Sequence, residues 1–316
     1  MGLNGALAVL VAIAYGRNEI DDCERILNRG RVICFLASIP LFFVQISCYP
    51  VMRACGIEPE VATHTAKYGF FLFIAMVLYC QFDCYRGYLN ALGQTRVLQW
   101  AVSSTILGHV VLCYILTQKL HLGVMGVSIS TMVTVACNLL FVMMHTWLVS
   151  EFAVSPIPPR IWSLLSKNEV AMYMTIALPS IVMIMAEWIG CEILIVLAAN
   201  ISMDAVGAMS ISYNFHSVIY MIPYGFQLSI TAVVGNYIGE GNEKYGKLTA
   251  LIGIVEIFTI TILCGLGTYY YAYEIATVYT TDVDIVQLLL PILRTLSLPL
   301  SLLGLTLSLQ GVLKAL

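Results

Sequence analysis

Residues 177–199 read ALPSIVMIMAEWIGCEILIVLAA, an apolar run long enough to cross a bilayer that nevertheless carries Glu187 and Glu192. Its other residues are apolar or small, apart from Pro179 and Ser180. A charge at mid-bilayer costs roughly 2.5–3.5 kcal/mol on the translocon-insertion scale, so two carboxylates in one span favour a lined cavity or a proton site. Because positions five apart on a helix point about 140° away from each other, we expect one carboxylate to face a cavity and the other a neighbouring helix.

The composition of the whole chain indicates a polytopic α-helical membrane protein. Of its 316 residues, 60% are hydrophobic and 10% are charged, whereas a soluble domain carries about 25% charged residues. The segment at residues 2–15 is too short to cross a bilayer and predicts half a helix. Eight longer apolar segments predict spanning helices, near residues 32–52, 68–92, 98–117, 122–149, 170–199, 205–238, 247–273 and 285–313.

The distribution of lysine and arginine predicts the orientation of these spans. If the loop at residues 16–31 is cytoplasmic and the sides alternate, eleven basic residues fall inside and three fall outside, as the positive-inside rule requires. The eleven are Arg17, Arg25, Arg29, Arg31, Arg86, Arg96, Arg160, Lys167, Lys244, Lys247 and Lys314. The three are Arg53, Lys67 and Lys119.

A tandem repeat appears when Gly2 is laid on Gly225 and the chain is read onward in parallel. Each copy has an apolar run that ends at a glycine, a polar loop, a span, an outer polar cluster and a second span. The second spans of the two copies also have similar final residues, since GYLNAL at residues 87–92 matches GVLKAL at residues 311–316 in four of six positions. Copies with the same orientation predict two halves related by an axis along the membrane normal.

The repeat also predicts the domain organisation. Residues 1–149 are interpreted as an N-terminal transmembrane lobe that is incomplete at its start, and residues 170–316 as a C-terminal lobe that is incomplete at its end. The proline-bearing stretch 150–169 is interpreted as a cytoplasmic linker between them. The complete architecture would have two six-helix lobes, of which this chain holds about nine to ten helices.

Three motifs in this sequence resemble one transporter family. EWIGCE at residues 187–192 resembles the Glu-Trp-Trp-x-aromatic-Glu helix of the eukaryotic branch of multidrug and toxic compound extrusion (MATE) transporters. YMIPYG at residues 220–225 and VGNYIGEGN at residues 234–242 resemble the Met-x-Pro-x-Gly and Val-Gly-Asn-x-x-Gly-x-Gly-Asn signatures of that family. Earlier segments, at residues 2–7, 14–16, 56–60 and 86–89, also resemble the family's second to fourth helices. Order and spacing therefore agree with the family along the whole chain.

The resemblance implies a secondary active antiporter with twelve helices, which exports organic cations and xenobiotics in exchange for H⁺ or Na⁺ by alternating access. It implies a multi-pass protein of the plasma membrane rather than an internal one, without cofactor, enzymatic activity or nucleic-acid partner. By motif position, Glu187 would be the coupling carboxylate and Glu192 its companion. Trp188, Tyr213 and Asn214 would line the cavity, and position 214 is glutamate in the animal polyspecific exporters.

Other polar residues in the spans receive simpler interpretations. Glu256 and Arg294 lie within predicted spans and are interpreted as an intramembrane ion pair between helices. His109, His145 and His216 are isolated and are interpreted as core or interface residues. We find no Ser/His/Asp constellation, His-Glu-x-x-His motif or phosphate loop, so the sequence predicts no catalytic, metal or nucleotide site.

Three alternatives remain open from the sequence. A lipid-linked sugar flippase shares the broad architecture, but it would need a basic cavity, and the spans here carry mainly acids. A heptahelical-type receptor fits the hydropathy alone and is disfavoured by the repeat. Finally, the 316 residues are expected to be unstable or inactive by themselves if three helices are absent.

Overall fold

The computed structural model describes residues 2–148, 154–155 and 164–315, and these residues form ten helices and no strands. The helices are α1 (Gly2–Gly16), α2 (Ile20–Ala54), α3 (Pro59–Ala91), α4 (Thr95–Tyr114), α5 (Gly123–Leu148), α6 (Lys167–Ala199), α7 (Met203–Gly239), α8 (Glu243–Tyr270), α9 (Ala272–Tyr279) and α10 (Val283–Ala315). A π-helical turn, Ile115–Lys119, continues α4. The predicted all-α fold is confirmed.

Eight of the described helices, all except α1 and α9, are long and apolar enough to cross a membrane. Their outer surfaces carry many large apolar side chains, such as Trp100 and Leu107, which are more than two-thirds exposed. Contiguous apolar surface on this scale is unfavourable in water and suits contact with lipid chains. The protein is therefore an integral multi-pass membrane protein, and α1, with 15 residues, is the predicted short helix.

The described residues fall into two compact units whose boundary lies inside α6, between Ala177 and Leu178. The first unit contains α1 to α5 and the start of α6, and the second contains the rest of α6 with α7 to α10. The predicted linker at residues 150–169 lies mostly outside the described residues, so its role stays a prediction.

Buried polar contacts hold the start of α6 in the first unit. Tyr173 of α6 is fully buried, and its hydroxyl donates to the carbonyl oxygen of Leu3 at 2.7 Å. Arg29 of α2, also buried, forms an ion pair with Glu169 at 2.5 Å and donates to the carbonyl oxygen of Leu164 at 3.1 Å. These contacts explain why the first turns of α6 belong to the first unit.

A cluster of polar side chains occupies the interface of α1, α2 and α3. Asn4 donates through Nδ2 to Asp83 Oδ2 at 2.7 Å, and Asp83 also pairs with Arg86. The thiols of Cys34 and Cys84 donate to Asn4 Oδ1 at 2.9 and 3.4 Å, and the two sulfurs are 3.9 Å apart. Asp83 is only 3% exposed, so its neighbours replace the water that a charged carboxylate would otherwise need.

Small residues allow α8 and α10 of the second unit to approach closely. A Cβ added at Gly265 would overlap Ser301, and one added at Gly304 would overlap Thr261. Thr261 Oγ1 also donates to the carbonyl oxygen of Ser301 at 3.1 Å. These contacts fix the antiparallel register of the two helices.

This register separates Glu256 from Arg294, so the predicted ion pair is not formed. Residue 261 lies level with residues 301–304, which places Glu256 near position 304 of α10 or beyond. Arg294 is therefore about two helical turns or more away along the axis, at 1.5 Å per residue. Both side chains are exposed, and among the described ion pairs none joins them.

The tandem repeat is visible in the positions of the helices. α1 and α7 end 223 positions apart, at Gly16 and Gly239, and α2 and α8 begin 223 positions apart, at Ile20 and Glu243. The second copy differs in one respect, because a break at Tyr271 divides the counterpart of α2 into α8 and α9.

Equivalent glycines make equivalent contacts in the two copies. A Cβ at Gly30 would overlap Leu7, and a Cβ at Gly253, 223 positions later, would overlap Ile230, the counterpart of Leu7. In the same way a Cβ at Gly87 would touch Ala8, and one at Gly311 would touch Thr231, the counterpart of Ala8. The repeat is therefore one of packing as well as of sequence order.

Candidate functional site

A cleft between α6 and α7 lies within the second unit and is the best candidate site among the described residues. The empty space between its walls, counted out to the open solvent at its mouth, is about 370 Å³. We call it the α6–α7 cleft. Its lining consists of Glu187, Trp188, Cys191, Tyr213, His216, Ser217, Tyr220 and Met221.

The lining residues of α6 share one face of the helix. Glu187, Trp188 and Cys191 recur at spacings of one, three and four, which is the pattern of neighbouring side chains on one helical face. Glu192 is exposed and does not line the cleft. The structure therefore separates the two carboxylates, in line with the 140° angle between their positions. The expectation that the second carboxylate faces a neighbouring helix is not met among the described residues, because the side chain of Glu192 is exposed.

The lining residues of α7 also share one face, from Tyr213 through His216 and Ser217 to Tyr220. A short turn joins the two helices, and the hydroxyl of Ser202 accepts a hydrogen bond from the amide of Ala205 at 3.0 Å, which caps the start of α7. This connection makes α6 and α7 neighbours along the chain and brings these two lining faces to the same cleft.

Aromatic rings form much of the cleft wall. The rings of Trp188 and Tyr213 meet edge to face, with centroids 6.1 Å apart. Tyr220 lies 6.1 Å from the ring of His216 and stacks on Tyr224 at 5.8 Å. Aromatic faces attract cations through the ring quadrupole, most strongly where water is excluded.

The carboxylate of Glu187 lies half-buried beside these rings. Within the described part of the chain it accepts no hydrogen bond and forms no ion pair. Lys314 of α10 acts on it electrostatically through space. A carboxylate without a close partner can bind either a proton or a cation that enters the cleft.

A second cleft of about 400 Å³ adjoins the first. Cys191, Tyr213 and His216 belong to the walls of both, and Leu296 of α10 lines the second. His216 therefore lies where the two clefts meet. Its Nδ1 atom is buried and has no hydrogen-bond partner among the described residues.

The structure brings together only part of the set predicted from sequence. Glu187, Trp188 and Tyr213 share the cleft, as their proposed roles require. Asn214 is exposed on another face of α7, and its Nδ2 donates to the carbonyl oxygen of Ser210 at 2.9 Å. It does not line either cleft.

Sequence reasoning missed His216 and Tyr220. The interpretation of His216 as a core or interface residue was too narrow, because it lines the cleft beside Glu187. A signal was available, since Tyr213, His216, Tyr220 and Tyr224 recur every three or four residues in an otherwise apolar span.

Comparisons with known proteins identify the family of this chain. The family model described as MatE matches residues 1–115 and 179–316, which is most of the sequence. The chain belongs to the MatE family. The predicted resemblance to MATE transporters is thereby confirmed.

Relatives of this MatE protein occur in animals and plants. Multidrug and toxin extrusion protein 1 of Rattus norvegicus is 27% identical over 295 residues, which cover 91% of this chain and 50% of the rat protein. Protein DETOXIFICATION 16 of Arabidopsis thaliana is 24% identical over 270 residues, which cover 84% of this chain and 54% of the plant protein. The chain thus spans about half the length of these relatives.

A solved structure supports the same fold. The crystal structure of the eukaryotic MATE transporter AtDTX14 superimposes with a TM-score of 0.90 at 23% identity. The match covers 99% of this MatE chain and 70% of that chain. The likeness establishes the fold.

Proposed function

We propose that this MatE protein is a secondary active transporter that exports organic cations in exchange for H⁺, with Glu187 as the exchanging carboxylate. One observation carries the proposal: the Glu187 carboxylate lines an aromatic-walled cleft and has no hydrogen-bond or ion-pair partner among the described residues. The relatives named multidrug and toxin extrusion proteins support the direction of transport.

The exchange follows from the cost of an uncompensated charge in a site of low polarity. An ionised Glu187 is unfavourable there unless a positive charge lies beside it, so the carboxylate binds a proton when no cation is near. An entering organic cation places its charge against the carboxylate and its apolar surface against the rings of Trp188 and Tyr213. The proton then leaves, and the cleft carries one of the two cargoes at a time.

The lining favours H⁺ over Na⁺ as the coupling ion. Hard metal cations take several oxygen ligands at short distance. The cleft lining has one carboxylate, that of Glu187, and otherwise the neutral hydroxyl-bearing residues Tyr213, Ser217 and Tyr220. Proton exchange needs only the carboxylate.

Extrusion from a cell takes place at its boundary, so the proposal assigns the protein to the plasma membrane. Imaging of a fluorescently tagged full-length protein tests this assignment, and retention in internal membranes would contradict it.

Transport in liposomes tests the role of Glu187. We expect acid-loaded liposomes containing the full-length protein to accumulate radiolabelled tetraethylammonium, and Glu187→Gln to reduce this uptake at least 10-fold, because the amide cannot exchange a proton. Glu256→Gln is the matched control, since Glu256 is an exposed carboxylate of α8 outside the cleft. Equal uptake by Glu187→Gln and Glu256→Gln would refute the assignment. Uptake driven by a Na⁺ gradient and insensitive to pH would replace H⁺ with Na⁺.

A further inference from the structure

We propose that His216 is a second proton-carrying residue of the α6–α7 cleft, so that one bound organic cation displaces up to two protons, one from Glu187 and one from His216. The inference rests on the proposed function, because it concerns the proton count of the same exchange. It makes His216 a residue that decides how strongly acidity competes with the substrate.

The position of His216 in the cleft supports this role. The imidazole lines the cleft that also contains Glu187, and it lies in the wall shared with the adjoining cleft. A cation bound near Glu187 therefore occupies the same small space as the imidazole. A protonated imidazole would repel that cation, because two like charges close together in a site of low dielectric constant have a high electrostatic energy.

The hydrogen bonding of the imidazole ring also supports this role. Nδ1 of His216 is buried and has no hydrogen-bond partner among the described residues. A structural histidine usually has one nitrogen fixed by a hydrogen bond, which sets its tautomer. Nothing described holds His216 in one tautomer, and the ring can take up or release a proton without breaking a hydrogen bond at Nδ1.

The groups that face the imidazole come from three helices. From α6 they are Glu187 and Cys191, and from α7 they are Tyr213 and Tyr220. α10 contributes the apolar Leu296 to the adjoining wall. Glu187 is the acidic residue of this set, so a protonated His216 would be stabilised by an ionised Glu187 and would lose that stabilisation when a substrate cation takes its place.

The proton balance follows from these positions. With both groups protonated, the pair carries one positive charge. Arrival of a monovalent organic cation leaves Glu187 ionised and His216 neutral, and two protons pass to the solvent. With Glu187 ionised and His216 protonated, the same cation displaces one proton, and the count depends on pH.

Calorimetry can count the displaced protons. Binding of tetraethylammonium to the purified full-length protein would be measured between pH 5 and pH 8 in buffers of different ionisation enthalpy, which gives the number of protons released. We expect the wild type to approach about two protons at the acidic end, and His216→Gln to reach about one, since the slope of log Kd against pH equals the proton count.

Three control proteins sharpen the experiment. His145→Gln is the matched control, because His145 also has a buried Nδ1 without a described partner but lies in the first unit; it should keep the wild-type count. His216→Asn, which retains a nitrogen near the position of Nδ1, should behave like His216→Gln. Agreement between the two variants shows that the lower proton count does not come from misfolding of one of them. Glu187→Gln should lose the proton release of the carboxyl and most of the binding.

The outcomes separate this inference from the proposed function. A wild-type count that never exceeds one proton would overturn the role of His216 without any variant, and so would a count that His216→Gln leaves unchanged. Absence of tetraethylammonium binding to the wild type, or unchanged binding by Glu187→Gln, would instead overturn the proposed function.

Discussion

The two copies of the repeat have their helices at equivalent positions, but the buried polar contacts between equivalent helices differ. In the first copy, Asn4 contacts the buried Asp83 at 2.7 Å and accepts from the thiols of Cys34 and Cys84. In the second copy the counterpart of Asn4 is Gln227, which donates to Gln310 Oε1 at 3.1 Å. The counterparts of Asp83, Cys34 and Cys84 are Leu307, Ile257 and Ser308.

This difference indicates which features the fold requires. Both copies keep glycines where helices cross closely, at Gly30 and Gly253 and at Gly87 and Gly311. The polar groups between the same helices vary from a charged network to an amide pair. The small residues at these crossings are therefore common to both copies, whereas the buried polar groups differ. The proposed exchange site lies in α6 and the front of α7, before the second copy begins at Gly225.

The largest effect on folding is expected when the buried aspartate of the first copy is introduced at the equivalent position of the second copy. Leu307 is 1% exposed, and Leu307→Asp would bury a carboxylate where the described residues supply no basic partner at the counterpart of Arg86, which is Gln310. We expect loss of folded protein, because an unpaired buried charge costs several kcal/mol. Size-exclusion chromatography in detergent measures the folded fraction. Leu307→Met is the control and should fold normally, and a monodisperse Leu307→Asp would contradict the comparison.

Replacing the buried aspartate of the first copy by the leucine of the second should have a smaller but still large effect on stability. Asp83→Leu removes the partner of Asn4 and Arg86 and leaves buried polar groups behind. Breaking a buried pair in this way costs about 3–5 kcal/mol, so the thermal unfolding midpoint in detergent should fall clearly. Asp22→Leu, which removes the exposed partner of Arg25, should change it little. Equal midpoints for the two variants would show that the charged network is not required.

Filling the close crossing of α8 and α10, which belongs to the second copy alone, should cost an intermediate amount. Gly304→Val would drive a side chain into Thr261 and the backbone of α8, and overpacking of this kind costs about 1–3 kcal/mol. Gly108→Ala is the contrast, because nothing lies within 4 Å of a Cβ at that helical position, and alanine should be neutral or slightly stabilising. Thermal unfolding of both variants checks the pair. A Gly304→Val midpoint no lower than that of Gly108→Ala would argue against close packing of α8 and α10.

The smallest effect is expected from the amide pair of the second copy. Gln227→Leu removes the hydrogen bond to Gln310, and one neutral hydrogen bond contributes about 1 kcal/mol. The unfolding midpoint should therefore fall much less than for Asp83→Leu. A fall as large as that of Asp83→Leu would mean that the two interfaces depend on their polar groups equally.

Much of the fold could be predicted from the sequence because lipid imposes simple rules. Every backbone group in a bilayer must be hydrogen-bonded, so long apolar runs form helices. The repeat can be recognised in the sequence because helix contacts constrain both Gly87 and Gly311 to be small. The Glu256–Arg294 pair was predicted wrongly, since helix register depends on the contacts of Gly265 and Gly304, which hydropathy does not report.

The candidate site was only partly predictable for a similar reason. Glu187 stands out as a charge in an apolar run, but His216 and Tyr220 acquire meaning only when α7 presents them to α6. Asn214, two residues before His216, lies on another face. Sequence identifies the polar residues of a span, whereas packing decides which of them share a cleft.

The central claim is that Glu187 exchanges a proton for a cation, and proton movement measures this directly. Liposomes containing the full-length protein and a lumenal pH indicator would receive external tetraethylammonium with the membrane potential clamped. The account predicts that the lumen becomes alkaline with the wild type, because protons leave as cations enter, and that Glu187→Gln abolishes the signal. Tetraethylammonium uptake without a change in lumenal pH, or an undiminished pH change with Glu187→Gln, would contradict it.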